Sequence, residues 1–227
     1  MPAFSLNDST PVQVGNLESI IARIYGGVTP SPIPIVYTEA NRPANSLPTF
    51  YTNGLRSGEG VTVVSFASGE LGVFPFLAPR KLTIDRMAVG VTTAAASAQA
   101  RIGIYNEVGR LRPETLLFDS GDIDCSVVGF KTVVVPNLVI EAGLLWLAII
   151  MTNTTAQIAA FSGAYGGNMG PGMGYIDNSN TFQTVTGWRN VQAYGALPNP
   201  FPAAPTGYFT ESSSARRLPI LGLRFAS

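Results

Sequence analysis

The feature that most limits the fold of this chain is an unbroken apolar run, Leu144–Met151, within the stretch EAGLLWLAIIMT. A strand with one face in water alternates apolar and polar residues, and this run does not alternate. A helix that crosses a bilayer needs about 20 apolar residues, so the run is also too short for a membrane span. The run therefore predicts a β-strand whose two faces are both covered.

Short segments of β type recur from about residue 59 onward, separated by turns rich in Gly, Pro, Asn and Ser. Their number indicates an all-β domain over residues 59–227, built as an antiparallel β-sandwich of two packed sheets. The predicted strands are Val61–Phe66, Gly72–Leu77, Leu82–Thr92, Ala100–Asn106, Thr115–Phe118, Lys131–Val135, Leu138–Glu141, Leu144–Thr152, Gln157–Phe161 and Arg217–Phe225.

One of these predicted strands moves its apolar residues from one face to the other. Leu82 and Ile84 occupy even-numbered positions, whereas the apolar residues that follow Arg86 occupy odd-numbered ones. One extra residue in a strand reverses the alternation of its side chains. The shift therefore predicts a β-bulge at Asp85–Arg86.

The first 58 residues differ in character from the rest and are predicted to form an extended N-terminal arm. One short helix is expected at Asn16–Tyr25, since Asn16 is a good N-cap and two glycines follow the segment. Five prolines between residues 30 and 48 then forbid a regular helix or a central strand. Because the arm is apolar, we expect it to pack on its own domain or, as we favour, on a neighbouring chain or larger assembly. The arm residues expected to make assembly contacts are Ile20, Ile21, Ile24, Ile33, Ile35 and Tyr37.

The apolar run also raises the question of what covers its second face. In a β-sandwich only one face of each sheet meets the core. No helix of suitable size follows in the sequence, so the arm or another subunit is expected to cover the other face. The alternative is that the outer residues of this strand are partly exposed. We favour a homo-oligomer with Leu144, Trp146 and Ile150 in its interface, because full burial of each such side chain contributes about 1.5–3 kcal/mol.

The charge content narrows the classes of partner. Only 12% of the 227 residues are charged, whereas typical soluble domains contain about 25%. A protein with so few charged residues is expected to have much of its surface covered by other subunits. The 14 basic and 14 acidic residues balance, so the charge does not point to nucleic acid. No apolar run reaches about 18 residues, so no membrane insertion is expected.

The residue types argue against an enzyme. The chain has no histidine and a single cysteine, Cys125, which excludes Ser-His-Asp and Cys-His nucleophiles and the common zinc sites. We therefore expect no catalytic residue, no cofactor and no metal site. A glycosidase built on two carboxylates stays open as a minor alternative. Its candidate pairs are Asp122 with Asp124, Glu107 with Glu114, and Asp177 with Glu211.

Three carboxylates lie close together in DSGDID, residues 119–124. Calcium takes six to eight oxygen ligands, and this cluster alone supplies too few. Asp side chains at such positions commonly accept hydrogen bonds from nearby backbone amides. Residues Asp119–Asp122 are therefore predicted to form a turn.

Residues 162–216 are predicted to form a long, mostly irregular loop region, rich in glycine, proline and aromatic residues. Aromatic rings beside Asn and Gln side chains are typical of sugar-binding surfaces, where a ring stacks under the sugar and amides bind its hydroxyl groups. The other interpretation is that the rings only anchor the loop. The possible glycan-binding residues are Tyr165, Tyr175, Trp188 and Tyr194.

The stretch ARIGIYNEVGRLRPETLLFDSGDID, followed by VVGFKTVVVPNLVIEAGLLWLAIIMT, carries a family likeness. A strand ends in Ile-Tyr-Asn, and Pro-x-x-Leu-Leu, Asp-Ser-Gly and a strand of alternating valines follow. This pattern resembles jelly-roll domains in virion appendages of tailed bacteriophages: tail fibres, head fibres or spikes, and capsid decoration proteins. The likeness covers about residues 60–162 and extends to the final predicted strand, Leu218–Phe225. It implies a jelly-roll sandwich that is trimeric and non-enzymatic, and that binds a host glycan in some members.

Together the residues and the resemblance predict a structural virion component of a tailed bacteriophage, located on the particle surface. It is expected to be a homo-oligomer, with a trimer favoured, and to contact other virion structural proteins through its arm. The alternative function is a receptor-binding module that recognises a host surface glycan.

Overall fold

The computed structural model describes residues 51–52, 61–78, 81–107, 111–162, 173–176, 182–210 and 217–226. The chain divides into two compact units, Met1–Ile35 and Val36–Ser227, and every described residue belongs to the second. The arm helix expected at Asn16–Tyr25 and the six arm residues predicted to make assembly contacts lie outside the described residues.

The described residues form fifteen β-strands. They are β1 (Tyr51–Thr52), β2 (Val61–Val64), β3 (Glu70–Ala78), β4 (Leu82–Thr93), β5 (Gln99–Glu107), β6 (Pro113–Asp119), β7 (Ile123–Asp124), β8 (Gly129–Ile140), β9 (Gly143–Met151), β10 (Gln157–Ser162), β11 (Met173–Ile176), β12 (Phe182–Val191), β13 (Gly207–Thr210), β14 (Arg217–Pro219) and β15 (Leu221–Phe225). β1 falls within the span predicted to be the arm, and it pairs with the last strand, β15.

The strands make two antiparallel sheets, which confirms the predicted all-β sandwich. In sheet A, β4 pairs with β8 along one side and with β15 and then β10 along the other, and β2 and β14 pair with β10. In sheet B, β9 lies between β3 and β5. β12 follows outside β3, and β6 and β7 follow outside β5. The apolar run therefore forms the central strand of sheet B.

The main core lies between the two sheets, where the inward side chains of both are buried together. Met87 and Leu223 of sheet A and Ile102 and Leu147 of sheet B are all 0% exposed. Alternate residues of each strand point to this core, as the two-residue period of a strand requires. The strands thus place the odd-numbered apolar residues of β9 in the sandwich interior.

The predicted bulge in β4 is confirmed. Ile84 pairs with Phe225 and Arg86 pairs with Arg224, so Asp85 is the extra residue opposite β15. Apolar residues on both sides of the bulge consequently reach the same core. The change of parity in the sequence was therefore a reliable sign of the backbone irregularity.

The prediction that residues 162–216 are mostly irregular is wrong for part of that segment. β12 spans Phe182–Val191, and β11 and β13 both pair with it. The register of β12 against β13 shifts between Val185 and Gly187. Because of this irregularity and its many polar residues, the strand has no two-residue apolar period, and the sequence pattern hid it.

Residues 192–206, which connect β12 to β13, fold back over the outer face of sheet B, and we call them the strap. The hydrogen bonds that hold the strap run from Leu197 N to Asp119 Oδ2 (2.9 Å), from Tyr105 Oη to Pro198 O (2.8 Å) and from Phe201 N to Glu114 O (2.7 Å). A second buried cluster lies between the strap and sheet B. It contains Leu71, Val73, Tyr105, Trp146, Ala148 and Ile150 of the sheet and Leu197 and Phe201 of the strap.

The strap packs on the second face of the apolar run, so the expectation that another subunit covers this face is wrong, and the arm lies outside the described residues. Trp146 and Ile150 are 0% exposed within this cluster, so they have no surface left to contact another chain. Leu144 is only partly buried and packs at the edge of the same cluster. The strap lacks any strand or helix pattern and lies far along the chain, so periodicity gave no sign of it.

Candidate assembly surface

The most apolar exposed strand is β8, which forms an edge of sheet A among the described residues because it pairs there with β4 alone. Val133 and Val135 point inward and pack against the core. Phe130 and Val134 point to the outer face and are 61% and 62% exposed. Val128, just before the strand, is 57% exposed. This edge of the domain therefore presents large apolar side chains to solvent, which is typical of an interaction surface.

The backbone of β8 is interrupted near its middle. Val134 pairs with Arg86 and Leu138 pairs with Ile84, so three residues of β8 lie opposite the single residue Asp85. Pro136 is one of the three, and the next residue, Asn137, has a positive φ of 41°. A proline and a bulge on an edge strand oppose continuous pairing with another strand. This strand therefore presents its outer-face side chains, rather than a continuous backbone edge, at the surface.

A row of four residues crosses the outer face of sheet A from Phe130 to Val63, and we call this row the trough. Phe130 pairs with Gly90 of β4, and a Cβ atom at Gly90 would lie 3.4 Å from the Cβ of Ala159 on β10. Ala159 in turn pairs with Val63 of β2, which is half-buried. The next residues along these strands, such as Val89 and Ile158, point into the core, so the four trough residues point outward. The two central residues of the trough, Gly90 and Ala159, thus carry no side chain larger than methyl.

Charged residues lie at one end of this trough, on the side of Val134. Asp85 accepts two hydrogen bonds from Arg224, from Nε at 2.7 Å and from Nη2 at 2.5 Å. These bonds and the guanidinium charge hold the pKa of Asp85 below its ordinary value. Arg86 pairs with both Val134 and Arg224 across the sheet. An apolar centre with charges at its border is the usual arrangement of a protein interface.

A cleft with a volume of about 350 Å³ opens between the ends of β6 and β8. Leu117 and Val139 line it and are 36% and 51% exposed, and Glu107 and Glu141 also line it. Glu141 forms an exposed ion pair with Lys81 (2.6 Å), and Glu107 Oε1 accepts a hydrogen bond from the backbone of Leu111 (2.7 Å). The cleft adjoins the exposed apolar side chains of β8. The contacts of Glu107 and Glu141 described above stabilise the fold.

Two of the predicted glycan-binding residues have structural partners. Trp188 Nε1 donates a hydrogen bond to Leu111 O (3.0 Å), and Tyr194 Oη donates one to Asp122 Oδ1 (2.9 Å). Both rings pack against the cluster beneath the strap. Tyr175 lies on β11, and Tyr165 lies outside the described residues. The structure thus brings Trp188 and Tyr194 to one cluster. A role in holding the chain in place is sufficient to explain both rings.

The DSGDID motif forms the predicted kind of turn. Asp119 Oδ1 accepts a hydrogen bond from Gly121 N (3.0 Å), and Asp124 Oδ1 accepts one from Ser126 N (2.8 Å). Asp122 pairs with Arg101 Nη2 (3.0 Å). The bonds from Ser126, through its side chain and its backbone, also lower the pKa of Asp124. Each carboxylate therefore has a structural contact.

The remaining features concern metal ligands, membrane-spanning helices and one carboxylate pair. There, no group of three or more His, Cys, Asp or Glu side chains is placed to hold a metal ion. Within the same residues, no helix is long and apolar enough to cross a membrane. The candidate carboxylate pair Asp177 and Glu211 lies outside the described residues.

Comparisons with known proteins give no information about the function of this chain. A scan against protein-family models finds no match to this chain, and a search of curated proteins finds none either.

The residues that form the exposed apolar surface were not among those predicted from the sequence. β8 reads GFKTVVVPNLVI, and its outward positions carry Phe130, Thr132 and Val134, which are no more polar than its inward ones. A strand that is apolar on both faces was recognised in β9 but not in β8. The same signal marks both strands but does not say which one stays open: β9 is covered by the strap, and β8 keeps more than half of two large side chains exposed.

Proposed function

We propose that the protein is a structural, non-enzymatic component on the surface of a tailed-bacteriophage virion, where it works as an oligomer attached through its N-terminal arm. The observation that carries the assembly part is the exposed apolar surface of β8. Phe130 and Val134 are 61% and 62% exposed in a chain of which only 12% of residues are charged. Such a surface is unfavourable in water and is stabilised by a partner.

The virion part of the proposal is supported by the resemblance of residues 60–162 to jelly-roll domains of phage appendages. The sandwich has the two-sheet construction that such domains require. The number of copies that the resemblance implies, three, stays a prediction. Trp188 and Tyr194 have structural partners, and no further observation favours glycan binding over assembly.

Localisation in purified particles tests this proposal. Cryo-electron microscopy of the phage that encodes the chain is expected to show density for the sandwich on the particle surface, at a fixed stoichiometry. A variant without residues 1–50 retains β1, which pairs with β15. We expect it to keep the circular dichroism spectrum of a folded β protein and to be absent from particles. A chain that accumulates in infected cells but is missing from purified particles would overturn the proposal.

A further inference from the structure

The strap runs antiparallel to β6 and contacts it, or the residue just before it, at every second strap residue. The contacts join Leu197 N to Asp119 Oδ2 (2.9 Å), Asn199 Oδ1 to Leu116 N (3.2 Å), Phe201 N to Glu114 O (2.7 Å) and Ala203 O to Arg112 Nη1 (2.5 Å). As the chain advances along the strap, its partners move back along β6. A two-residue period of this kind is that of an extended strand.

The backbone groups that the strap satisfies belong to the outer edge of β6. Among the described residues β6 is the last strand on its side of sheet B, and the outer groups of such a strand can pair with a strand of another chain. Glu114 O and Leu116 N come from alternate residues and share this edge. Thr115 N lies on the opposite edge, where it donates to Asn106 Oδ1 of β5 (2.7 Å). The strap therefore occupies part of the edge that another strand would use.

The strap residues between these contacts are all prolines, namely Pro198, Pro200 and Pro202. A residue that precedes proline is biased towards extended backbone, in which successive residues face opposite sides. Phe201 directs its N–H towards β6, so the two prolines beside it occupy positions that face away from β6. Proline has no N–H to donate. The outer side of the strap therefore lacks the donors that a further strand would need.

Without this cover, the composition of β6 would favour pairing between copies. Its middle residues read TLLF, none of them is charged, and Thr115 and Leu117 are exposed. Uncharged segments without an internal proline pair readily with strands of other chains. β8, which is an edge strand of sheet A among the described residues, contains Pro136. Proline thus lies at both edges, within β8 itself and in the strap beside β6.

We infer that the strap is an edge cap, which occupies the edge of β6 and stops another copy of this chain from adding a strand there. Its inner side satisfies Leu116 N and Glu114 O, and its outer side offers no N–H at the three prolines. This inference goes beyond the proposed function and does not rest on it, because it concerns a contact between copies that the fold prevents.

Restoring the missing donors in the full chain tests the cap. The double variant Pro198→Ala, Pro202→Ala returns two N–H groups to the outer side of the strap. The initial rate at which thioflavin T fluorescence grows is expected to rise at least about tenfold over the wild type, because an open edge pairs between chains. Pro205→Ala is the matched control, since Pro205 lies in the same strap beyond Ala203, where the four contacts end. Equal rates in the folded double variant and the control would overturn the inference.

A second pair of variants acts on the inner side of the strap and decides the matter if the double variant does not fold by circular dichroism. Asn199→Ala removes the acceptor of the Leu116 N–H, whereas Asn199→Asp retains an acceptor oxygen. Asn199→Ala alone is expected to speed both hydrogen exchange at Leu116 and the growth of thioflavin T fluorescence. If Asn199→Ala matches Asn199→Asp in both measurements, the strap does not cap β6. Localisation of the chain in particles is independent of either result.

Discussion

At the scale of single residues, the second cluster shows how one polar group is satisfied and another is not. Tyr105 is 0% exposed, and its hydroxyl donates to Pro198 O at 2.8 Å, which ties the strap to β5. Trp146 is equally buried, yet its Nε1 has no hydrogen-bond acceptor in the described part of the chain. A buried donor without an acceptor costs about 1–3 kcal/mol. The packing of the indole under the strap offsets this cost.

Cys125 gives the residue-scale prediction. Its side chain is 0% exposed, and burial is the main cause that raises the pKa of its thiol above the ordinary value. Alkylation requires both the thiolate and access to it. We expect iodoacetamide at pH 8 to modify the native protein at least about tenfold more slowly than the urea-unfolded protein, because the native thiol is both buried and less readily ionised. Mass spectrometry of timed samples measures both rates, and equal rates would contradict the burial of Cys125.

At the scale of elements, the contact between β5 and the strap depends on a residue without a side chain. A Cβ atom at Gly103 would lie 2.3 Å from Cδ1 of Leu197 and 2.6 Å from the backbone oxygen of Phe118. The Leu197 side chain has some freedom to move, whereas the backbone of β6 has little. Gly103 therefore lets the strap approach the sheet closely enough to exclude water from the second cluster.

Substitution of this glycine is the element-scale prediction. Gly103→Ala is expected to reduce the free energy of unfolding by about 1–3 kcal/mol, as other overpacked sites do. Gly195→Ala is the matched control, because nothing lies within 4 Å of a Cβ atom at Gly195 in the strap. Urea denaturation followed by tryptophan fluorescence measures both variants. If the two alanine variants are equally stable, the strap does not lie on β5 as described.

At the scale of the whole molecule, the ends of the described chain meet in sheet A. β1 pairs with β15, and β15 pairs with β4, so the first and last described strands close the same sheet. The paired side chains of Asp85 and Arg224 join β4 to β15 at the bulge. Both side chains are 24% exposed, which limits how far solvent screens the pair. The pair therefore links the C-terminal strand to the sandwich in a manner that depends on pH.

The acid stability of the fold is the whole-molecule prediction. The hydrogen bonds and charge of Arg224 hold the pKa of Asp85 below its ordinary value of 3.8. The folded state thus binds this proton less readily than the unfolded state, so the stabilisation is complete above about pH 4 and is lost as the pH falls through the folded-state pKa. Asp85→Asn is expected to lower the melting temperature at pH 7, with a smaller difference from the wild type near pH 2.

The control for this prediction is Glu141→Gln, which removes the same kind of charge from a pair whose side chains are 66% and 73% exposed. An exposed pair contributes little to stability. Its melting temperature at pH 7 should stay closer to that of the wild type. Because Asp124 also has a lowered pKa, acid weakens the wild-type fold through more than one group, and the difference between variant and wild type is the quantity to compare. A constant difference from pH 2 to pH 7 would contradict the role of Asp85.

Much of the local β structure could be predicted from the sequence, because side-chain alternation and turn residues act over a few positions. The bulge at Asp85 followed from a change of parity, and the turn at Asp119 followed from the habit of Asp side chains to accept backbone hydrogen bonds. β12 could not be predicted, because its own irregularity removed the period. The exposed surface at Phe130 and Val134 was not recognised, since a pattern that is apolar on both faces does not say which face stays open.

The sequence by itself determined that β9 has two apolar faces and that both need cover. Only the tertiary structure decided that the strap supplies the second cover, through Leu197 and Phe201 of the same chain. The physical reason is that apolar burial is non-directional and roughly proportional to area. Any apolar segment could bury the second face of β9. Which segment does so depends on which distant part of the chain the whole fold brings to that face.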